Sequence, residues 1–228
     1  MANGKCFKML NIEKKSIQCA WPDEFMKSAG EEDLFIIDYF RKCGGYLVDI
    51  ACACPVSGSL SFKLLNNYYW QGLLVEPSPF HTDNIESCYG DIPWIHFFPG
   101  AIKQNETFVT LYQPSKEIGL ATLIPNELSY RPQPSLGELL TYKVPAKGIN
   151  ELFIEYDVPN KIDFLNLDIE GSENEVLDYL DFERWRVKLI CIEDGEKYEG
   201  LLRKRNYNKI SQNKYKFMHG NTFYELLG

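Results

Sequence analysis

Several common signatures are missing from this chain. Its seven cysteines form no C-x-x-C pair, and Cys52 and Cys54, one residue apart, suit neither a disulfide with each other nor a zinc knuckle. Three histidines occur, His81, His96 and His219, without the spacing of a metal-ligand set. His96 falls in an apolar run and reads as structural, and His219, in "KFMHGN", reads as a turn residue. The fingerprint G-x-G-x-x-G is absent from residues 49–60, which disfavours a nicotinamide dehydrogenase, and no Walker A sequence occurs. No apolar segment approaches the length of a membrane span, and "MANGKCFKMLNIEKK" holds no run like that of a signal peptide. Basic residues are outnumbered: 24 Lys and Arg against 32 Asp and Glu give a net charge of −8. A general binder of phosphate backbones is basic, so no nucleic-acid partner is expected. With the thiols read as reduced, these absences predict a cytoplasmic protein.

What is present is an ordinary globular composition, 45% hydrophobic and 25% charged over 228 residues, long enough for a sizeable core. Residues 1–30 are mixed and read as an N-terminal extension. Residues 31–228 read as a single domain. "EEDLFIIDYFRKCGG" (31–45) predicts a helix stopped by Gly44-Gly45, and 57–67 and 148–156 predict two more. Short apolar runs at 46–53, 71–79, 94–102, 161–168 and 186–193 predict strands buried on both faces. Residues 107–113 add a strand, and "YNKIS" with "NTFYELL" closes the chain as an antiparallel pair. Between them, 114–147 is rich in proline and reads as an inserted loop or lid. Alternating strands and helices with near-continuous apolar strands predict an α/β fold, a mostly parallel sheet covered on both faces. Ligands of such sheets bind outside the carboxyl ends of the strands.

Acids mark those ends. "IDFLNLDIEGSENEVL" (162–177) carries Asp168, Glu170 and Glu173, and "VKLICIEDG" (187–195) carries Glu193 and Asp194. Earlier come Asp49 in "VDIACACPVSG" and Glu76 in "LLVEPSP". An acid after the second strand can accept hydrogen bonds from a ribose diol. Gly100 and Ala101, after the third strand, are small enough to leave room for a flat ring. Asp168, Glu193 and Asp194 on adjacent strand ends offer hard oxygen ligands for Mg²⁺ or Mn²⁺. Glu173 reads as favouring the positive end of the next helix. Ser172 and Glu175 fit an S-x-x-E capping box that starts this helix, expected over 172–185.

"GEEDLFIIDYF", "GGYLVDIA", "GLLVEPSP" and "IDFLNLDIEGSENEVL" with "ICIEDG" resemble, in order, the FkbM family of S-adenosylmethionine-dependent methyltransferases. The resemblance spans roughly 30–195. It implies the class I methyltransferase (Rossmann-like) fold, with a seven-stranded sheet and a reversed last strand. It implies S-adenosylmethionine at Asp49 and Glu76, with Ala51, Ser57, Gly58, Pro77, Gly100 and Ala101 completing the cofactor set, and Asp168 at the methyl-transfer end. Family members typically methylate hydroxyls, often of sugars. The family's first loop resembles "DIGAxxGxxG", whereas this chain has Ala51 in place of one glycine and Pro55 where another usually lies, which removes an N–H donor.

The resulting expectation is an O-methyltransferase acting on a sugar or glycan hydroxyl. A divalent metal at Asp168, Glu193 and Asp194 would lower the hydroxyl's pKa. Some metal-dependent sugar O-methyltransferases place a histidine base three residues after the first Asp; Gly171 stands there, so Glu170 is the candidate base. Tyr130 and Tyr142 of the 114–147 segment suit a sugar's mixed surface. Two alternatives stay open: a binding module that has lost catalysis, and a metal-dependent glycosyltransferase reading "DIE" as a D-x-D variant.

Overall fold

The computed structural model describes residues 30–128, 133–218 and 220–228. The chain runs through α1 (Glu32–Phe40), β1 (Tyr46–Ile50), α2 (Phe62–Asn67), β2 (Gln71–Val75), α3 (Pro79–Tyr89) and β3 (Ile95–Phe98). It continues through β4 (Ala101–Ile102), β5 (Phe108–Pro114), α4 (Gln133–Leu136), β6 (Leu139–Lys147) and α5 (Ile149–Glu155). The last part holds β7 (Lys161–Leu167), α6 (Asn174–Leu177), β8 (Arg186–Ile192), α7 (Glu199–Arg203), β9 (Tyr207–Lys209) and β10 (Thr222–Leu226).

Seven strands form the main sheet in the order β3-β2-β1-β7-β8-β10-β9, all parallel except β10. This is the class I methyltransferase order, with the reversed strand in the expected place. Alternate residues of each strand feed opposite cores, because successive side chains point to opposite faces. Val48, Val75, Leu165 and Ile190 pack with Leu152 and Phe153 of α5. Leu47, Leu74, Phe164 and Leu189 pack with Ile36 of α1, Leu64 of α2 and Ile85 of α3. Burial on both faces is why these strands read as continuous apolar runs.

The reversal at the first topological break creates the site. β1 lies between β2 and β7, so the loops leaving β1 and β7 diverge to opposite faces and open a crevice.

The structure corrects several local expectations. α1 ends at Arg41, which adopts a left-handed conformation (φ 47°), ahead of the expected glycine stop. Gly45 serves packing instead, since a Cβ there would lie 2.8 Å from the Trp70 ring. The expected third strand is broken at Pro99-Gly100 into β3 and β4. β4 belongs to a second sheet of order β4-β6-β5. The 114–147 segment is therefore not loop throughout: its last nine residues are β6, antiparallel to β5. Pro145 stands opposite Phe108 at the end of that ladder, where a missing N–H is best tolerated. The capping box does not form. α6 spans only Asn174–Leu177, its start has no side-chain cap, and Glu175 pairs with Lys103 at 2.6 Å. The thiols are not uniformly reduced: Cys43 and Cys54 each take part in a disulfide, while Cys52, Cys88 and Cys191 are free and buried. Short spacing forbids a Cys52–Cys54 bond but says nothing about distant partners. Disulfides favour an oxidising compartment, so the thiols lend no support to a cytoplasmic location.

Candidate active site

The loop after β1 is drawn tightly onto β2. The amides of Ala51 and Cys52 both donate to the Val75 carbonyl, at 2.8 and 3.2 Å. Ala51 (φ 60°) and Ala53 (φ 50°) take the left-handed conformation that favours glycine. This explains the glycine in the family's loop at the position of Ala51. Tyr89 of α3 donates its hydroxyl to the Pro55 carbonyl at 3.1 Å, fixing the far side of the loop.

Glu76, just past β2, is buried. Its Oε2 accepts the Ala53 amide at 2.8 Å and its Oε1 accepts the Ser78 amide at 2.7 Å. Burial pushes its carboxyl up to about 7 against these two bonds, with Asp49 adding to the rise. Each oxygen keeps a lone pair for a ligand. Asp49 plays a different part. It is only 1% exposed and accepts Ser61 Oγ at 2.6 Å and Asn166 Nδ2 at 2.9 Å. Burial raises its pKa. It joins β1 to α2 and β7 beneath the loop and does not line the cleft.

A cleft of about 600 Å³ lies at the carboxyl edge, lined by Ala51, Ala53, Glu76, Pro77, Asp168, Glu170 and Glu193. That volume is typical of small-molecule sites. Residues 116–121, which leave β5, form the opposite wall. Buried Gln113 holds this strap: its Oε1 accepts Ser78 Oγ and its Nε2 donates to the Ile118 carbonyl, both at 2.6 Å. Thr122 Oγ1 donates to the Glu170 carbonyl at 2.9 Å, tying the strap to the turn after β7.

That turn brings the acids together. Glu170 (φ 47°) and Gly171 (φ 96°) bend the chain sharply after β7. Carboxylate oxygens of Asp168, Glu170 and Glu193 all lie within 4.8 Å of one another. Burial holds the Asp168 carboxyl well above the ordinary range, and the neighbouring Glu193, which hydrogen-bonds to it, raises it further. Asp194 is not in this group. Its backbone takes a left-handed turn (φ 48°) and it lines a separate surface pocket with Glu196, Lys197 and Thr222. The structure thus gathers Glu170, and not Asp194, with Asp168 and Glu193, because the turn after β8 carries Asp194 away. Glu173 is structural, accepting Gly171 N at 3.1 Å and Tyr198 Oη at 3.0 Å.

The remaining expected residues fall elsewhere. Gly100 and Ala101 line a neighbouring cavity of only about 30 Å³, shared with Ala51 and Pro77. The space beside Gly100 is filled: a Cβ there would meet the Phe98 ring at 2.6 Å and the Pro145 carbonyl at 2.7 Å. Ser57 is buried and Gly58 exposed, and neither lines the cleft. Tyr142, on β6 of the second sheet, packs edge-on against Phe80 of α3, and Tyr130 lies outside the described residues. His219 lies outside them as well. Sequence reasoning missed Ser78 and Gln113, which join elements 35 residues apart and leave no local pattern.

Residues 55–216 match the Methyltransferase FkbM domain, and the chain belongs to that family. No curated protein matches it. Among solved structures it is similar to a precorrin-6y C5,15-methyltransferase from Geobacter metallireducens (14% identity, 90% of this chain and 97% of the other, TM-score 0.44). It is also similar to a putative RNA methyltransferase from Pyrococcus horikoshii (10% identity, 86% and 82% covered, TM-score 0.40). A human methyltransferase 10 domain containing protein shares 11% identity over 84% of this chain and 78% of the other, with a TM-score of 0.36. Among the described residues no helix is long and apolar enough to cross a membrane.

Proposed function

We propose that this methyltransferase-family chain transfers a methyl group from S-adenosylmethionine to a hydroxyl of a sugar or glycan, with help from a divalent metal. The observation that carries the reading is the cleft itself, lined by both Glu76 and the Asp168–Glu170–Glu193 group. The cofactor supplies a methyl group on a cationic sulfonium. Glu76 retains lone pairs for ribose hydroxyls, and the Ala51–Ala53 backbone lies beside it. The acid group gives a cationic centre a favourable field and offers acceptors to an incoming hydroxyl.

Transfer needs the acceptor oxygen in line with the methyl group and close to it. Asp168, Glu170 and Glu193 orient that hydroxyl, and Glu170 takes its proton. Their clustered oxygens fit a hard cation, and Mg²⁺ or Mn²⁺ held there would lower the hydroxyl's pKa. A cleft lined by several carboxylates suits neutral polyols better than polyanions. The tyrosines expected to face the sugar add no support, since Tyr142 packs against Phe80 of α3 and does not line the cleft.

A binding module without catalysis is the second reading, favoured by the strained Ala51 and Ala53 where glycine is easier. Family membership displaces the glycosyltransferase alternative. The test combines S-adenosylhomocysteine calorimetry with methyl-transfer assays over neutral sugars and glycosides, alongside catechols and small acids. Binding with turnover of sugars supports the proposal. Binding without any turnover supports the module, and turnover of catechols alone overturns the acceptor.

A further inference from the structure

His81 lies on α3, three residues after the Ser78 cap, and lines the same cleft as Glu76. It is 6% exposed. One ring nitrogen hydrogen-bonds the backbone of Ile118 in the strap, a bond that favours the protonated ring, so the nitrogen donates to the carbonyl. Nε2 has no hydrogen-bond partner among the described residues, which makes the donor Nδ1. Burial lowers the imidazole's pKa and keeps it neutral. In that tautomer Nε2 is an acceptor, and a buried acceptor without a donor is costly.

Glu76 lines the same cleft and also presents acceptor lone pairs. Two acceptors in one cleft call for two adjacent donors, and a vicinal diol supplies them. We propose that His81 Nε2 accepts a hydrogen bond from a ribose hydroxyl of the cofactor's adenosyl group, sharing the diol with Glu76. This rests on the cofactor reading above. The strap then does more than wall the cleft, because through Ile118 and Nδ1 it sets the tautomer and orientation of the ring that reads the ribose.

The experiment is calorimetry of wild type, His81→Phe, His81→Asn and Glu76→Gln with S-adenosylhomocysteine and its 2′-deoxy and 3′-deoxy analogues. Wild type is expected to bind each deoxy analogue about tenfold more weakly, the effect of one lost hydrogen bond, with the loss for one of them due to His81. His81→Phe is expected to lose about tenfold for the parent ligand and to stop discriminating that analogue. His81→Asn, which keeps an acceptor oxygen, recovers part of the difference. A merely structural histidine leaves the discrimination intact, and that outcome overturns the inference. Weaker binding by Glu76→Gln with normal binding by His81→Phe overturns it while sparing the cofactor reading. No binding by wild type overturns both. If His81→Phe does not fold, the ¹⁵N resonance of Nε2 in wild type decides: it should move with the parent ligand and with only one of the two deoxy analogues, and an unmoved resonance overturns the assignment.

Discussion

Glu76 holds Ala53: the carboxylate after β2 accepts the amide of a residue in the loop after β1, at 2.8 Å. The group expected to meet the cofactor's ribose is therefore also the anchor of the loop expected to approach its backbone. Both functions pass through one buried, readily protonated side chain.

The protonation carries a pH signature. Glu76 has its folded pKa raised from 4.5 to about 7. A raised carboxyl pKa means the folded state holds the proton longer than the unfolded state. Its stabilising contribution is full below about 4.5 and is lost as pH rises through about 7. Asp49 and Asp168, also raised by burial, act in the same direction. Denaturation of wild type and Glu76→Gln between pH 5 and 8 should show wild type losing stability with rising pH, on the order of 3 kcal/mol from Glu76 alone. The variant should show a shallower slope, and parallel slopes would remove Glu76 from the effect.

Ala51→Gly should relieve the backbone strain at φ 60°. The left-handed conformation costs a non-glycine residue about 1–2 kcal/mol, against which glycine loses about 0.5–1 kcal/mol of chain entropy. A net stabilisation of roughly 0.5–1 kcal/mol is expected in urea unfolding, with S-adenosylhomocysteine affinity unchanged or improved. Ala51→Val should destabilise.

Glu170→Gln should reduce methyl transfer by about 10²–10⁴-fold, the range for loss of a general base. Activity should vanish in EDTA and return with Mg²⁺ or Mn²⁺. Asp194→Asn, outside the acid group, should leave both the rate and the metal dependence nearly unchanged. Full activity after exhaustive chelation would assign the acids to proton transfer and orientation alone.

Gln113→Leu should loosen the strap. It leaves the buried Ser78 Oγ without its acceptor, at about 1–3 kcal/mol, and leaves the Ile118 carbonyl with only its bond from His81. Thermal unfolding should register the loss. Hydrogen exchange should rise across residues 116–121 ahead of the main sheet, and an unchanged strap would show that Thr122 suffices to hold it.

The strand ends Glu76, Asp168 and Glu193 were legible because a parallel sheet buried on both faces writes its strands as apolar runs and stops them where polarity returns. That Asp194 lies apart from the other acids was not legible, because one residue of sequence at a turn decides a direction that only backbone dihedrals reveal. β6 was hidden because Pro145 and the prolines that precede the strand read as breakers, yet pairing with β5 satisfies the rest of its backbone.

By itself, then, the sequence determined the α/β class of the fold and the acidic character of the cleft, since these follow from local periodicity and from where acids interrupt apolar runs; the strand order was implied only by the family resemblance. Tertiary structure decided which acids share a space, that Asp49 supports the loop from below, that Phe98 fills the room beside Gly100, and that His81 and Gln113 belong to the site. Those outcomes depend on contacts between segments far apart in the chain, whose geometry is set by packing and leaves no trace in any single stretch of sequence.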